Sequence, residues 1–385
     1  MTELPSKADI VVIGGGVMGA STAYHLSKTP GVSIVLLERG AFFGQGATGR
    51  CAGGVRYQFG TKINLQLSKL SLPMLEKFEM ETGQPINYQK TGYLFLLTTN
   101  DEVGIFRKNV ELQHSLGVNT EWLDNEQLRE KLPFMNLDDV IAGTYYGEGG
   151  IVDPNSVVIG YINEAKRNGV RVFNNIEVVD VVIENGSITR VTTNAGSVTS
   201  SFVVNATGPW SGILCEKAGF QIPIEPLRRQ WAVTTSFAGM PQKMPFTIDF
   251  GKSLYFHREG DGILTGMSNP DEKPGYSQRI DTDWELVHFE KAIERIPDMA
   301  NAGVVSRTAG LYATTPDAHP ILGKSPVNGF YLITGFSGHG FMHGPIAGKL
   351  LSEVILSGKA ETLDISSLEL KRFDEQGLIH EYNVI

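Results

Sequence analysis

The chain has 385 residues, 41% of them hydrophobic and 19% charged, with a formal net charge of −9 and only two cysteines. That length allows two domains with cores of their own, and the acidic balance without a basic cluster excludes a nucleic-acid partner. Cys51 and Cys215 form neither a disulfide framework nor a metal-binding spacing, so no metal site is expected and a reducing compartment is the simpler setting. No apolar run approaches the roughly 20 residues that span a bilayer, and the short polar lead before the first strand leaves no room for a signal peptide. The expectation is a cytoplasmic protein with no transmembrane segment.

Ile10-Val11-Val12-Ile13 reads as a buried strand, Gly14-Gly15-Gly16-Val17-Met18-Gly19 as a turn into an Ala-containing helix, and Val32–Leu37 as a second strand ending in Glu38. Each glycine has a physical task in a dinucleotide site. Gly14 permits the tight turn, Gly16 lets a pyrophosphate approach the backbone, and Gly19 lets the helix pack on the sheet. The helix N-terminus offers unpaired N–H groups to a diphosphate. Glu38 follows where a carboxylate can accept from a ribose diol. This arrangement favours a bound dinucleotide over a ligand-free glycine turn.

The run from Gly44 to Arg56 is rich in Gly, Ala and Thr and reads as a backbone-exposing loop against a ligand. Ile63, Leu67, Leu70, Met74 and Phe78 have helical spacing, predicting a helix over 62–82 kinked at Pro73. Residues 91–97 read as a buried strand and Asn100-Asp101-Glu102 as a helix start. A further helix begins at Pro154, and Asn185-Gly186 marks a hairpin between strands. Phe202–Asn205 reads as another parallel-type strand closed by Ala206-Thr207-Gly208-Pro209-Trp210-Ser211. Strands dominate 222–305, with one helix around Trp284–Ile296. A strand over 330–334 then leads through Gly335-Phe336-Ser337-Gly338-His339-Gly340 to a last helix with Pro345 near its start.

The βαβ start, the Gly/Thr loop ending in Arg56, the Asn-Ala-Thr-Gly-Pro-Trp-Ser turn and the closing Gly-Phe-Ser-Gly-His-Gly-Phe together resemble the FAD-dependent D-amino-acid oxidase superfamily. The chain is most similar to the β subunits of heterotetrameric sarcosine oxidase and of archaeal L-proline dehydrogenase, and more distantly to glycine oxidase. The resemblance implies an α/β fold: a Rossmann-like FAD-binding domain (GR2 type) made of 1–84, 149–219 and 306–385, with a mixed or antiparallel-sheet substrate domain of 85–148 and 220–305. The glycine-rich return near the C-terminus also suits a long cofactor gripped at both ends, which favours FAD over NAD.

By this resemblance Gly14, Gly15, Gly16, Met18 and Gly19 form the diphosphate turn, and Glu38 and Arg39 hold the adenosine ribose. Ala47, Thr48, Ala52, Gly53 and Gly54 line the path to the flavin, Val178 meets adenine, and Gly208 belongs to the same set. Gly338, His339, Gly340, Phe341 and Met342 present N–H groups to the flavin pyrimidine, backed by a helix starting near Gly344. The implied reaction, one of amino-acid metabolism, passes a hydride equivalent from the carbon beside an amine to flavin N5; the imine product then hydrolyses. The substrate is a small carboxylated amine resembling sarcosine, proline or glycine. Arg56 would anchor its carboxylate, Tyr255 and Tyr312 would orient it, and His339 sits beside the flavin, more as a backbone donor than a proton carrier. His257, His343 and Asp317 read as structural.

Several positions depart from the family. Gly310 stands where monomeric sarcosine oxidases link flavin through cysteine, and Asp153-Pro154-Asn155 lacks the linking histidine of some β subunits, so FAD is expected to be non-covalent. Met342 replaces a carboxylate-binding lysine, Gly262–Gly266 carries no oxygen-activating lysine, and Tyr312 stands where glycine oxidase has arginine. These departures favour a dehydrogenase that hands electrons to an α subunit, another partner or a second flavin (FMN) at an interface. The alternative is a non-catalytic FAD-binding assembly or electron-relay subunit.

Overall fold

The computed structural model describes residues 3–374 and 378–384. Its first sheet is built outward from β1 (Ile10–Ile13), which leads through the glycine turn into α1 (Val17–Ser27) and returns as β2 (Ile34–Leu37). Six strands stand in the order Ile321–Lys324, Phe330–Thr334, Phe202–Asn205, β1, β2, Arg171–Phe173. All pairs are parallel except the one made by Ile321–Lys324. Both faces of β1 and β2 are covered, as their unbroken apolar runs require. Ile10, Val12, Ile34 and Leu36 pack in one core cluster beneath α1 and the Pro154–Arg167 and Gly340–Ser357 helices. Val11, Ile13, Val35 and Leu37 pack in another, toward the antiparallel meander of 178–199.

The second sheet has eight strands and is antiparallel apart from one pair. That parallel pair joins Tyr93–Leu97 to Phe246–Asp249. One face carries the Thr282–Arg295 helix side of the core. The other gathers Tyr93, Phe246, Ile248 and Tyr255, and this face looks onto the site. The strand Val304–Thr314 pairs along its length with Glu225–Thr234, so the domain division expected at 305/306 falls inside a strand of this sheet.

Local signals placed most elements. Asn185 and Gly186 adopt φ of 51° and 77°, the conformation a two-residue hairpin turn demands. Pro154 opens its helix with Asp153 Oδ1 accepting from Asn155 N at 3.0 Å. Two boundaries differ from expectation. The helix Lys62–Glu76 runs through Pro73 and breaks at Lys77, before a short Phe78–Thr82 helix. Pro73 removes only its own donor, and buried Leu72 and Leu75 hold the turn around it. The last helix begins at Gly340, not near Gly344.

Candidate active site

The glycines of the first turn do two different jobs. Gly14 has φ of 110°, and a Cβ there would lie 2.4 Å from the carbonyl oxygen of Ala206; a Cβ on Gly19 would lie 1.9 Å from that of Gly14. These two therefore fix the approach of α1 to the sheet. A Cβ on Gly16 would meet only Thr48 Oγ1, at 3.2 Å, and would otherwise project into open space. No side chain caps Gly16, and the first turn of α1 contains no acid. Val17 N donates to Thr48 Oγ1 at 3.1 Å, while the remaining first-turn N–H groups have no intrahelical partner.

That open space is a cavity of about 520 Å³. Gly14, Gly16, Val17 and Met18 form one wall, and Glu38, Arg39 and Val178 form one end. Ala47, Thr48 and Gly208 line its length, and Gly338, Gly340 and Phe341 close the far end. Glu38 binds the turn itself: its two oxygens each accept at 2.7 Å, from Gly15 N and Gly40 N. Gly15 and Gly19 do not line the cavity; the first is held by Glu38 and the second is packed on the sheet. The Arg39 guanidinium lies over the Trp210 ring, 3.9 Å from its centroid. A second helix points its N-terminus at the same space. Gly344 and Gly348 bring the Gly340–Ser357 helix against Val17 and Ser21 of α1, where a Cβ would come within 2.6 and 2.3 Å. Two helix N-termini whose N-cap residues make no side-chain cap bond thus converge, which suits an anionic, diphosphate-containing ligand.

A smaller cavity of about 80 Å³ adjoins it through shared walls of Arg50, Cys51, Tyr312 and Gly338. Ala52, Gly53, Gly54, Arg56, Tyr255, His339 and Met342 line this one. Of the resemblance-derived residues, Arg56, Tyr255, Tyr312 and His339 therefore come together in one place. No Asp or Glu lines it, whereas Arg50, Arg56 and Arg229 all do. None of the three pairs with a carboxylate among the described residues. Arg56 is buried, stacked over Phe59 at 4.0 Å, and donates from Nη1 to the Gln58 carbonyl and from Nη2 to the Asn383 carbonyl.

Burial raises the phenol pKa of Tyr255 well above its usual value and that of Tyr312 in the same direction, so both stay protonated and can donate. Burial, and then the charges of neighbouring His343, His319 and Arg56, lower the His339 pKa well below its usual value. Its ring is neutral, and both ring nitrogens lack a partner. Its backbone N–H donates to the Phe336 carbonyl at 3.0 Å. Burial pushes the Cys51 thiol up to about 12, which fits a packing role. His257 donates from Nδ1 to the Arg258 carbonyl at 2.7 Å, His343 Nε2 pairs with Ser68 Oγ at 2.9 Å, and Asp317 is clamped by Arg372.

Three contributions have no sequence motif. Arg229 reaches the small cavity from the sheet; two adjacent arginines on a strand face opposite sides, so the pair Arg228-Arg229 held a signal. Tyr93 and Trp231 complete the aromatic wall. Val384 also lines the cavity, and Glu381 ties down its segment, accepting from Gly60 N, Thr61 N, Thr61 Oγ1 and Asn64 Nδ2.

A family model described as FAD dependent oxidoreductase (DAO) matches residues 9–354. The chain belongs to this family. It is therefore an FAD-dependent oxidoreductase by family, and the larger cavity has the helix N-termini and the glycine turn that suit FAD. The chain is 28% identical to the mitochondrial pyruvate dehydrogenase phosphatase regulatory subunit of Mus musculus, over 96% of this chain and 44% of that protein. It thus spans less than half the length of that curated relative. It is 29% identical to sarcosine oxidase subunit beta of Arthrobacter sp, over 98% of this chain and 94% of that one. Among solved structures, L-proline dehydrogenase from P. horikoshii superposes with a TM-score of 0.89 at 33% identity, covering 96% of this chain and 99% of that chain. Among the described residues no helix is long and apolar enough to cross a membrane, and no group of side chains could hold a metal ion.

Proposed function

We propose that the protein oxidises the C–N bond of a small carboxylated amine of the sarcosine, proline or glycine type. The observation that carries this reading is the small cavity: three guanidiniums without a carboxylate, two protonated phenols, and a volume suited to a compact ligand. An anion completes such a site, and the aromatic wall excludes water from the reacting carbon. FAD, when bound, supplies the acceptor for the hydride equivalent at N5. The larger cavity would hold it, with its pyrimidine edge toward the first turn of the Gly340–Ser357 helix, whose positive end favours the reduced form. The chain's own residues bind and orient the substrate. None serves as a strong base: no carboxylate lines the cavity and His339 is a weak one, so the amine enters already neutral.

Anaerobic addition of N-methyl, cyclic and primary amino acids to FAD-loaded protein tests this. At least one should bleach the flavin; failure across the panel overturns the reading. The absence of a lysine in Gly262–Gly266 supports a dehydrogenase over an oxidase. Sarcosine oxidase subunit beta is by name one of several subunits, and we extend the proposal to an α-type partner, with FMN at that interface, checked by flavin analysis of the native assembly. A second reading, a non-catalytic assembly or relay subunit, draws on the relative named a phosphatase regulatory subunit. It requires stable FAD binding with no substrate-dependent bleaching.

A further inference from the structure

Within the strand Glu225–Thr234, alternate residues face opposite sides of the sheet. Arg228 faces away from the site and is fully matched, donating from Nη2 at 2.9 Å to both Glu272 Oε2 and Asp281 Oδ2. Arg229 and Trp231 face the small cavity. Arg229 lies cross-strand from Gly310, and Leu227 from Tyr312, and the Arg229 guanidinium sits 5.3 Å from the Tyr312 ring centroid. Its Nη1 donates to the Arg228 carbonyl at 2.9 Å. Nε is buried without a partner, and Nη2 makes no hydrogen bond among the described residues. The Nε–Nη2 edge is the one that grips a carboxylate side-on with two parallel hydrogen bonds.

The other two guanidiniums are committed. Arg56 has both Nη atoms on backbone carbonyls. Arg50 donates from Nε to the Gln45 carbonyl at 3.2 Å and from Nη1 to the Ala309 carbonyl at 2.7 Å. Two buried arginines elsewhere have carboxylate partners: Arg295 holds Asp139 and Asp249, and Arg372 holds Asp317. A half-buried guanidinium whose buried Nε has no partner and whose fork faces an aromatic-walled cavity is better satisfied once an anion arrives.

We propose that Arg229 is the principal clamp for the ligand carboxylate, with Arg56 supplying fixed background charge from a fork already occupied. The proposal rests on reading the small cavity as the substrate site. Together Arg229, Tyr255 and Tyr312 then select a carboxylate over a neutral amide of the same shape.

The test uses FAD-loaded protein titrated with acetate and with acetamide, following the flavin absorbance, alongside reductive half-reactions with the substrate found above. In the unaltered protein acetate should bind well ahead of acetamide. Arg229→Gln should weaken acetate about 10- to 100-fold and raise the substrate KM by a similar factor, with a smaller change in kcat. Arg229→Lys, which keeps the charge and loses the fork, should lose less. Unchanged acetate affinity in whichever variant retains the native flavin spectrum and melting temperature overturns this proposal and leaves the proposed function standing. If the unaltered protein responds to no carboxylate and no carboxylated amine, the functional reading falls, and this one with it.

Discussion

Replacing Gly16 with alanine should remove FAD binding while leaving the fold intact, and replacing Gly19 should do the reverse damage. Gly16 has φ of −76° and ψ of −176°, an extended conformation that alanine adopts freely. The added Cβ meets only Thr48 Oγ1, at 3.2 Å, so the folded protein should lose no more than about 1 kcal/mol. The same methyl occupies the surface that a diphosphate must touch. Free FAD at 100 times its dissociation constant stabilises the native protein by about 2.7 kcal/mol; a hundredfold weaker affinity leaves about 0.4 kcal/mol. The urea midpoint of Gly16→Ala should therefore match that of the unaltered apoprotein and no longer rise when FAD is added. Heat-released flavin fluorescence should fall in parallel. In Gly19→Ala the methyl would lie 1.9 Å from the Gly14 carbonyl oxygen, so α1 must lift off the sheet. The apoprotein itself should lose about 2–3 kcal/mol. If Gly16→Ala holds FAD as tightly as the unaltered protein, the dinucleotide does not lie against this helix end.

Other outcomes follow from the same packing. Glu381→Ala strips a buried acceptor from three backbone N–H groups and two side chains, at a cost of about 3 kcal/mol; an unchanged guanidinium chloride midpoint would contradict the assigned bonds. Arg295→Met leaves fully buried Asp249 with only Lys252, 3.0 Å away, and should cost about 3 kcal/mol by the same measurement. Burial holds His25 and His343 to about 3 and His257 and His288 to about 4, below the ~6.5 of an unfolded chain. These residues are neutral in the native state, so the unfolded state binds more protons between pH 6.5 and 4. Stability is full above pH 6.5 and declines as the pH drops through that window, by up to about 1 kcal/mol per histidine between pH 7.5 and 5.5. Equal urea midpoints at those two pH values would rule this out.

Much of the FAD half was legible because its signals are local. The turn Gly14–Gly19 and the acid Glu38 lie within one βαβ unit, and glycine at position 19 is required by a backbone contact with Gly14, five residues back. The Asn185-Gly186 hairpin and the Asp153-Pro154 helix start are likewise set by neighbouring dihedrals and caps. The family resemblance placed Arg56, Tyr255, Tyr312 and His339 in a common site, and the structure brings all four to the small cavity. It also changes what two of them offer, since Arg56 has both Nη atoms engaged and His339 has spent its backbone N–H. The first of these depends on Asn383, which no local pattern links to the site.

The amino-acid sequence by itself determined the glycine turn between β1 and α1, the apolar strands buried on both faces and the acidic balance of the chain. These follow from periodicity, steric freedom at glycine and net charge, all properties of short stretches. Only the tertiary structure decided that Tyr93–Leu97 pairs with Phe246–Asp249, that Val384 lines the small cavity, and that Arg228 but not Arg229 has a counter-ion among the described residues. The reason is that sheet register and charge compensation are settled between residues far apart in the chain, where the free energy of burial, not local propensity, selects the partner.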